Sequence, residues 1–277
     1  MNELWQILFV CLTLLYGGAS GKQSDASHGY LGFDRNEYPG DSAMAQLRDQ
    51  FSFAGYWLTP SPEAQSNSWA GKRKVLEAHG YGFLLLARGR SQNTIHNAVT
   101  AEKRGIADAQ EAARSAKAEG FSAGGIIFLD IEDGGRLSPA YHSYLRAWAD
   151  DLVKSGFRPG VYCSGMVVDE GNGATIVTAD DIRKNLAPRN LWFWVFNDAC
   201  PPSPGCVSLT SPPLPSASGT EGAAVWQFVR SPRDKKTAAK CSGYASDANC
   251  YATADAARKW FLDMNVATSA NPSFPGK

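Results

Sequence analysis

The chain has 277 residues, 44% hydrophobic and 19% charged, which supplies enough apolar content for a full globular core. Its 27 Lys and Arg balance 27 Asp and Glu, for a formal net charge of +0 and a pI near 6.9. That balance excludes a nucleic-acid or anionic-membrane partner held by bulk charge.

Residues 1–20 have the pattern of a secretion signal. Leu8 to Leu15 is mainly apolar, and Gly17-Gly18-Ala19-Ser20 offers small residues for cleavage. The run is short for a bilayer span, so no stable membrane insertion is expected after cleavage. The n-region carries Glu3 and neither Lys nor Arg, and an uncleaved anchor is the alternative. Cys11 follows Val10, which is not the small residue a lipoprotein signal needs. The expected location is secreted, or periplasmic and cell-wall associated.

Strand-like apolar runs then fall at 29–34, 52–58, 82–88, 125–132, 160–164, 191–196 and 223–229. Helix-like stretches lie between them at 41–50, 68–79, 98–119, 138–155 and 178–186, with a last helix at 253–264. Ser138-Pro139 puts Pro at a first helical position, and Thr178 with Asp181 resembles a helix start. Gly80, Gly120 and Gly156 each follow a helix where a left-handed residue is wanted. The stretch 98–119, rich in Ala, Glu, Lys and Arg, reads as a solvated outer helix.

Strands alternating with helices imply βαβ units and a parallel sheet. An eighth strand is expected near Cys250-Tyr251-Ala252. Without the signal, the length is close to the ~250 residues of a single (β/α)8 barrel. The fold expected is therefore α/β, a TIM-type barrel, regular or irregular, in one domain over 27–268, with a flexible tail at 269–277. A doubly wound sheet is the competitor, but no Gly-rich phosphate fingerprint follows the first strand. Residues 200–218, crowded with Pro and Ser, read as a long surface loop pinned by a disulfide.

Five cysteines lie beyond the signal, and export permits disulfides. Local bridges Cys200–Cys206 and Cys241–Cys250 are the expected pairing, leaving Cys163 as a buried thiol. No spacing is a zinc pattern, and neither metal nor cofactor is expected.

The most informative stretch is Ile126-Ile127-Phe128-Leu129-Asp130-Ile131-Glu132. An unbroken apolar run fits a strand buried on both faces of a parallel sheet. A strand repeats its facing every two residues, so Asp130 and Glu132 point to the same side. Gly134 and Gly135 follow and end the strand. Acids at the carboxyl end of a parallel strand stand where α/β enzymes place their chemistry.

In a barrel, the other strand ends converge on the same mouth. They contribute Asp34 and Arg35, Tyr56 and Trp57, Arg88, Tyr162 and Ser164, Trp194, Asn197 and Asp198, and Trp226 and Gln227. Carboxylates, flat rings and fixed polar donors are what a sugar wants. Glycosidic cleavage needs an acid for the leaving oxygen and a second carboxylate as nucleophile, base or stabiliser. Glu132 is the candidate acid, Asp130 the charge beside it, and Asp34 the third acid. Tyr56, Trp57, Arg88, Tyr162, Trp194, Asp198, Trp226 and Gln227 are the candidate substrate contacts. The bland alternative has Asp130 capping a loop and Glu132 paired with Arg88 or Arg136. Asp133 is assigned to the turn. The four His are assigned to surface or packing, which argues against a Ser-His-Asp site.

A series of short motifs in order adds to this reading. They are Gly32-Phe33-Asp34, Phe53-Ala54-Gly55-Tyr56-Trp57, Phe128-Leu129-Asp130-Ile131-Glu132, Arg158-Pro159-Gly160-Val161-Tyr162, Leu191-Trp192-Phe193-Trp194 and Val225-Trp226-Gln227-Phe228. The set resembles the bacterial glycoside-hydrolase-like family of domains of unknown function 1906. That family is similar in turn to the family 25 glycoside hydrolases, lysozymes that cut peptidoglycan on a modified barrel. The resemblance covers about residues 29–264. It implies Glu132 as acid, Asp130 as the carboxylate two before it, Asp34 as the first-strand acid, and Trp226-Gln227 as a pair at the cleft. It also implies an acid near the C-terminus in a Val-Asp-Leu-Asn-like strand. The counterpart read here is Asp255, a poor match.

The function expected is hydrolysis of a β-linked amino-sugar glycan such as peptidoglycan, by a monomer without nucleic-acid partners. A nearly inert glycan-binding module on a hydrolase fold is the alternative. An esterase or deacetylase is a weaker third reading, because no nucleophile or metal set is visible.

Overall fold

The computed structural model describes residues 28–62, 64–250 and 260–276. The expected signal at 1–20 and the stretch holding Asp255 lie outside the described residues.

Eight strands close into a barrel: β1 (Tyr30–Asp34), β2 (Phe53–Trp57), β3 (Gly82–Arg88), β4 (Ile126–Asp130), β5 (Arg158–Ser164), β8 (Trp192–Phe196), β9 (Ala223–Val229) and β10 (Asp263–Ala267). A separate hairpin, β6 (Val167–Gly171) and β7 (Ala174–Val177), is inserted after β5. The helices are α1 (Asp41–Leu47), α2 (Arg73–Ala78), α3 (Ala98–Ala118), α4 (Pro139–Lys154), α5 (Thr178–Leu186) and a single turn, α6 (Lys235–Ala238). The chain is thus an irregular α/β barrel of the TIM type. No described helix is long and apolar enough to cross a membrane.

The irregularity is the last strand. β1 to β5, β8 and β9 pair in parallel, but β10 runs antiparallel to both of its neighbours, β1 and β9. The eighth strand expected at 250–252 therefore lies at Asp263–Ala267, overlapping the end of the expected helix 253–264. Met264 and Val266 share one facing, while Asp263 and Asn265 share the other. That two-residue period, satisfied by partners on both sides, outweighs local helix propensity.

The barrel interior is filled by rings set against glycines. A Cβ at Gly32 would come within 2.3 Å of the Phe53 ring, and one at Gly160 within 2.6 Å of Phe128. Such pairs let the core reach crystal-like density without voids. Outside the strands, Tyr56, Trp69, Phe83 and Phe121 pack edge to face at 5.0–5.9 Å under the helices. Helix α3 is solvated only on its outer side: Ala101, Ala109, Ala112, Ala113 and Ala116 are buried. A Cβ at Gly105 would stand 2.4 Å from the Tyr144 carbonyl oxygen, so this glycine sets how closely α3 approaches α4.

Two expectations fail. The stretch read as a flexible tail is described as far as residue 276, and its residues 271–274 are pinned across the starts of β3 and β4. Ser273 N–H donates to Phe83 O at 2.9 Å, and its carbonyl accepts from Ile126 N at 2.8 Å. Its hydroxyl accepts from Leu85 N at 2.7 Å, Asn271 Oδ1 accepts from Phe83 N at 2.9 Å, and Phe274 stacks on Phe121. The polar composition of the tail says nothing about unpaired strand-end donors elsewhere, and these capture it. Ser273→Ala should therefore cost about 1–3 kcal/mol in denaturant unfolding, because it orphans a buried N–H.

The disulfides are Cys200–Cys241 and Cys206–Cys250, not the two local pairs. Each joins the loop after β8 to the loop between β9 and β10. Those loops lie side by side, with Cys206 N donating to Ser242 O at 3.1 Å, so proximity in space overrides proximity in sequence. Cys163 is free and buried, as expected.

Candidate active site

The seven parallel strands end at one mouth, and antiparallel β10 begins there. Asp34 and Asp263 are consequently register partners across β1 and β10, and Arg88 and Asp130 are partners across β3 and β4. Gly55 makes room for this acid floor: a Cβ there would lie 2.5 Å from that of Asp34.

Asp34 anchors a buried network. Its Oδ1 accepts from Asn265 Nδ2 at 2.7 Å and from Gln227 Nε2 at 3.0 Å. Gln227 Oε1 accepts from Tyr162 OH at 2.8 Å, and Asn265 Oδ1 accepts from Trp194 Nε1 at 2.8 Å. Tyr162 and Trp194 pack at 4.6 Å between ring centroids. Thus Asp34, Tyr162, Trp194 and Gln227 are brought together as a buried floor. Burial pushes the Asp34 carboxyl up to about 6, against the two amide hydrogen bonds, with the charge of Glu132 adding to the rise.

Asp130 is 5% exposed and hydrogen-bonded to Glu132. Burial first, and then the neighbouring Glu132 charge, hold Asp130 well above the usual carboxylate range. Ile131 N donates to Tyr162 O at 2.9 Å, which prolongs the pairing one residue past β4. Glu132 follows and is exposed. Neither carboxyl is locked in an ion pair with Arg88 or Arg136: Arg136 instead forks onto Glu170 at 2.6 and 2.8 Å.

Asp263 is the acid that sequence reasoning missed. Its Oδ1 accepts from Ser231 N at 2.8 Å, and burial followed by the charge of Asp34 holds its carboxyl well above the usual range. Leu262-Asp263-Met264-Asn265 is the Val-Asp-Leu-Asn-like signal, hidden beside a helix-like stretch. Asn265 was missed with it.

Other expected contacts lie elsewhere. Tyr56 faces the outer layer and donates its hydroxyl to Glu119 at 2.7 Å. Trp226 faces opposite to Gln227 and donates to Asn197 O at 2.9 Å. Both follow from strand alternation, since each has an inward-facing neighbour. Trp57 is buried, with Nε1 donating to Arg35 O at 3.2 Å. Asp198 is buried in ion pairs with Arg230, at 2.6 Å, and Arg233, so it anchors the loop after β9 rather than offering a free carboxylate. Arg230 lies over Phe196 at 5.0 Å on that side of the rim. Arg88 stays exposed. Asp133 accepts from Gln92 N at 2.7 Å and so serves the turn. His142 is buried against Asp181 at 2.8 Å, a packing role.

A cavity of about 240 Å³ opens beside Glu132 and Asp130, walled by Pro62, Arg88, Gly89 and Ser91. It adjoins a second of about 540 Å³ across the backbone of 88–91. A further cavity, of about 760 Å³, lies near the starts of α3 and α4 and is bordered by Gln92, His96 and Arg146, with no carboxylate in its lining.

No curated protein matches the chain in sequence. Among solved structures, the chain is similar to an uncharacterized B. stearothermophilus protein, with 18% identity and TM-score 0.55, covering 86% of this chain and 96% of that one. The catalytic domain of endolysin ply40 from bacteriophage P40 of Listeria monocytogenes gives 14% identity and TM-score 0.50, covering 87% and 94%. The Mycobacterium tuberculosis Tat-secreted protein Rv2525c gives 15% identity and TM-score 0.49, covering 90% and 98%. At these identities the likeness to the first two is one of fold. The sequence itself matches the family described as Rv2525c-like, glycoside hydrolase-like domain over residues 48–205, more than half of its length. The chain belongs to that family.

Proposed function

We propose that the protein is an exported glycoside hydrolase that cuts a β-linked amino-sugar glycan, peptidoglycan in the first instance. One observation carries this reading: the exposed carboxyl of the mouth, Glu132, is hydrogen-bonded to a buried carboxyl, Asp130, that retains its proton far above the ordinary range. In this mechanism Glu132 protonates the leaving glycosidic oxygen and later takes a proton from water. Asp130 is the proton-holding neighbour and the hydrogen-bonding group for the acetamido substituent. Asp34 ionises near pH 6, so above that pH it places negative charge under the oxocarbenium-like ring. Asp263 faces Asp34 in register and completes the acid floor. The shared fold with an endolysin catalytic domain and two disulfides, which suit an oxidising compartment, support the substrate class and export.

The inert-module alternative rested on a poor C-terminal acid at position 255. Asp263, the register partner of Asp34, counts against it. Digestion of a panel of peptidoglycans and chitin-type oligomers, with products identified by mass, tests the proposal. New reducing ends from at least one amino-sugar polymer are expected, and a panel left intact at every pH between 4 and 8 would overturn it.

A further inference from the structure

The groove beside Glu132 is preformed, and its wall is a single fixed segment, residues 88–91. Arg88 N donates to Thr59 Oγ1 at 2.8 Å. Arg90 forks onto buried Asp108 with two contacts of 2.6 Å, and Tyr144 OH adds a third hydrogen bond to the same carboxylate at 2.9 Å. The Arg90 carbonyl accepts from Tyr141 OH at 2.6 Å. Gly89 runs so close to β4 that a Cβ there would fall 1.8 Å from the Asp130 carbonyl oxygen. The two cavities of about 240 and 540 Å³ meet over this segment. Each approaches or exceeds the lower end of the size range of small-ligand sites.

Arg88 is exposed and lines both cavities. Other arginines around the barrel are committed: Arg90 to Asp108, Arg136 to Glu170 and Arg230 to Asp198, each with a contact of 2.6 Å. Among the described residues no carboxylate lies within ion-pair distance of Arg88, and its interaction with Asp130 is through space. The exposed acid Glu111 lines the second cavity and interacts through space with Arg90. A guanidinium fork beside a preformed groove is matched by a carboxylate, which it binds through two parallel hydrogen bonds.

We propose, on the strength of the hydrolase reading above, that the glycan is acidic, with sugar carboxylates free of peptide, and that Arg88 clamps one of them in the subsite next to the cleaved bond. Binding then depends on charge as well as on shape, and it weakens with salt.

The test is calorimetric and needs no turnover. Glu132→Gln protein is titrated with peptide-free peptidoglycan oligosaccharides that keep their lactyl carboxylates, and with the same oligosaccharides after carboxyl reduction. The carboxylate form should bind about tenfold more tightly at low salt. That preference should shrink in high salt, vanish in Glu132→Gln/Arg88→Gln and partly return in Glu132→Gln/Arg88→Lys. Equal affinity for the two forms, binding of neither, or a preference that survives Arg88→Gln would overturn the inference. The hydrolase reading fails separately, if the wild-type protein prefers the carboxylate form yet releases no product from it.

Discussion

Glu132→Gln should lower glycan cleavage by about 10²–10⁴-fold, the usual contribution of a positioned acid and base. The replacement keeps the shape and the hydrogen bond to Asp130 but removes the titrating proton. Glu132 is exposed and lies beyond the end of β4, so no packing is lost with it. Its melting temperature should therefore stay within about 2 °C of wild type, in line with surface substitutions elsewhere. Product release measured as reducing ends, beside a thermal scan of the same sample, checks both halves. A variant that cuts at the wild-type rate removes Glu132 from the chemistry. One that is inactive because it melts early says only that the residue supports the fold.

Asp34→Asn should change how stability depends on pH, by about 3 kcal/mol. The Asp34 carboxyl is raised from 3.8 to about 6 in the folded protein. Each pKa unit corresponds to ~1.4 kcal/mol between the two protonation states. The folded state holds this proton more firmly than the unfolded chain does. The stabilisation is complete below pH 3.8 and is lost as pH rises through about 6. Wild-type protein should therefore lose about 3 kcal/mol between pH 4 and pH 8 from this one group. Asparagine keeps an oxygen for Gln227 and Asn265 but has no proton to lose. Unfolding free energies of both proteins at the two pH values should show the drop shrinking in the variant. An unchanged drop would mean that the carboxyl already ionises freely, and the acid floor would have to be redrawn.

Much of this was legible in the sequence because the parallel strands write unambiguous patterns. The run from Ile126 to Leu129 has no polar residue, which only a strand covered on both faces or a buried helix allows, and the Gly pair after it settles the choice. The helix boundaries at Ser138-Pro139 and Gly156 carry their own chemistry. The failures are of two physical kinds. Tyr56 and Trp226 were placed at the mouth by their neighbours Trp57 and Gln227, although adjacent strand residues face opposite ways. Asp263, the disulfides and the pinned tail depend on partners far along the chain, and no local pattern reports them. The hairpin β6–β7 lies between. Asn172-Gly173, both at positive φ, is a strong turn signal, yet β6 is wholly exposed and β7 half so, which leaves no hydrophobic alternation to detect.

The closure of the barrel by its last strand sets a schedule. Asp34 is made well before its amide partner Asn265, 231 residues further along the chain, and before its opposite acid Asp263. A chain that lacks β10 holds a gapped sheet and half of the acid floor. On this plan the acid floor exists only once the first and last strands of the barrel have met.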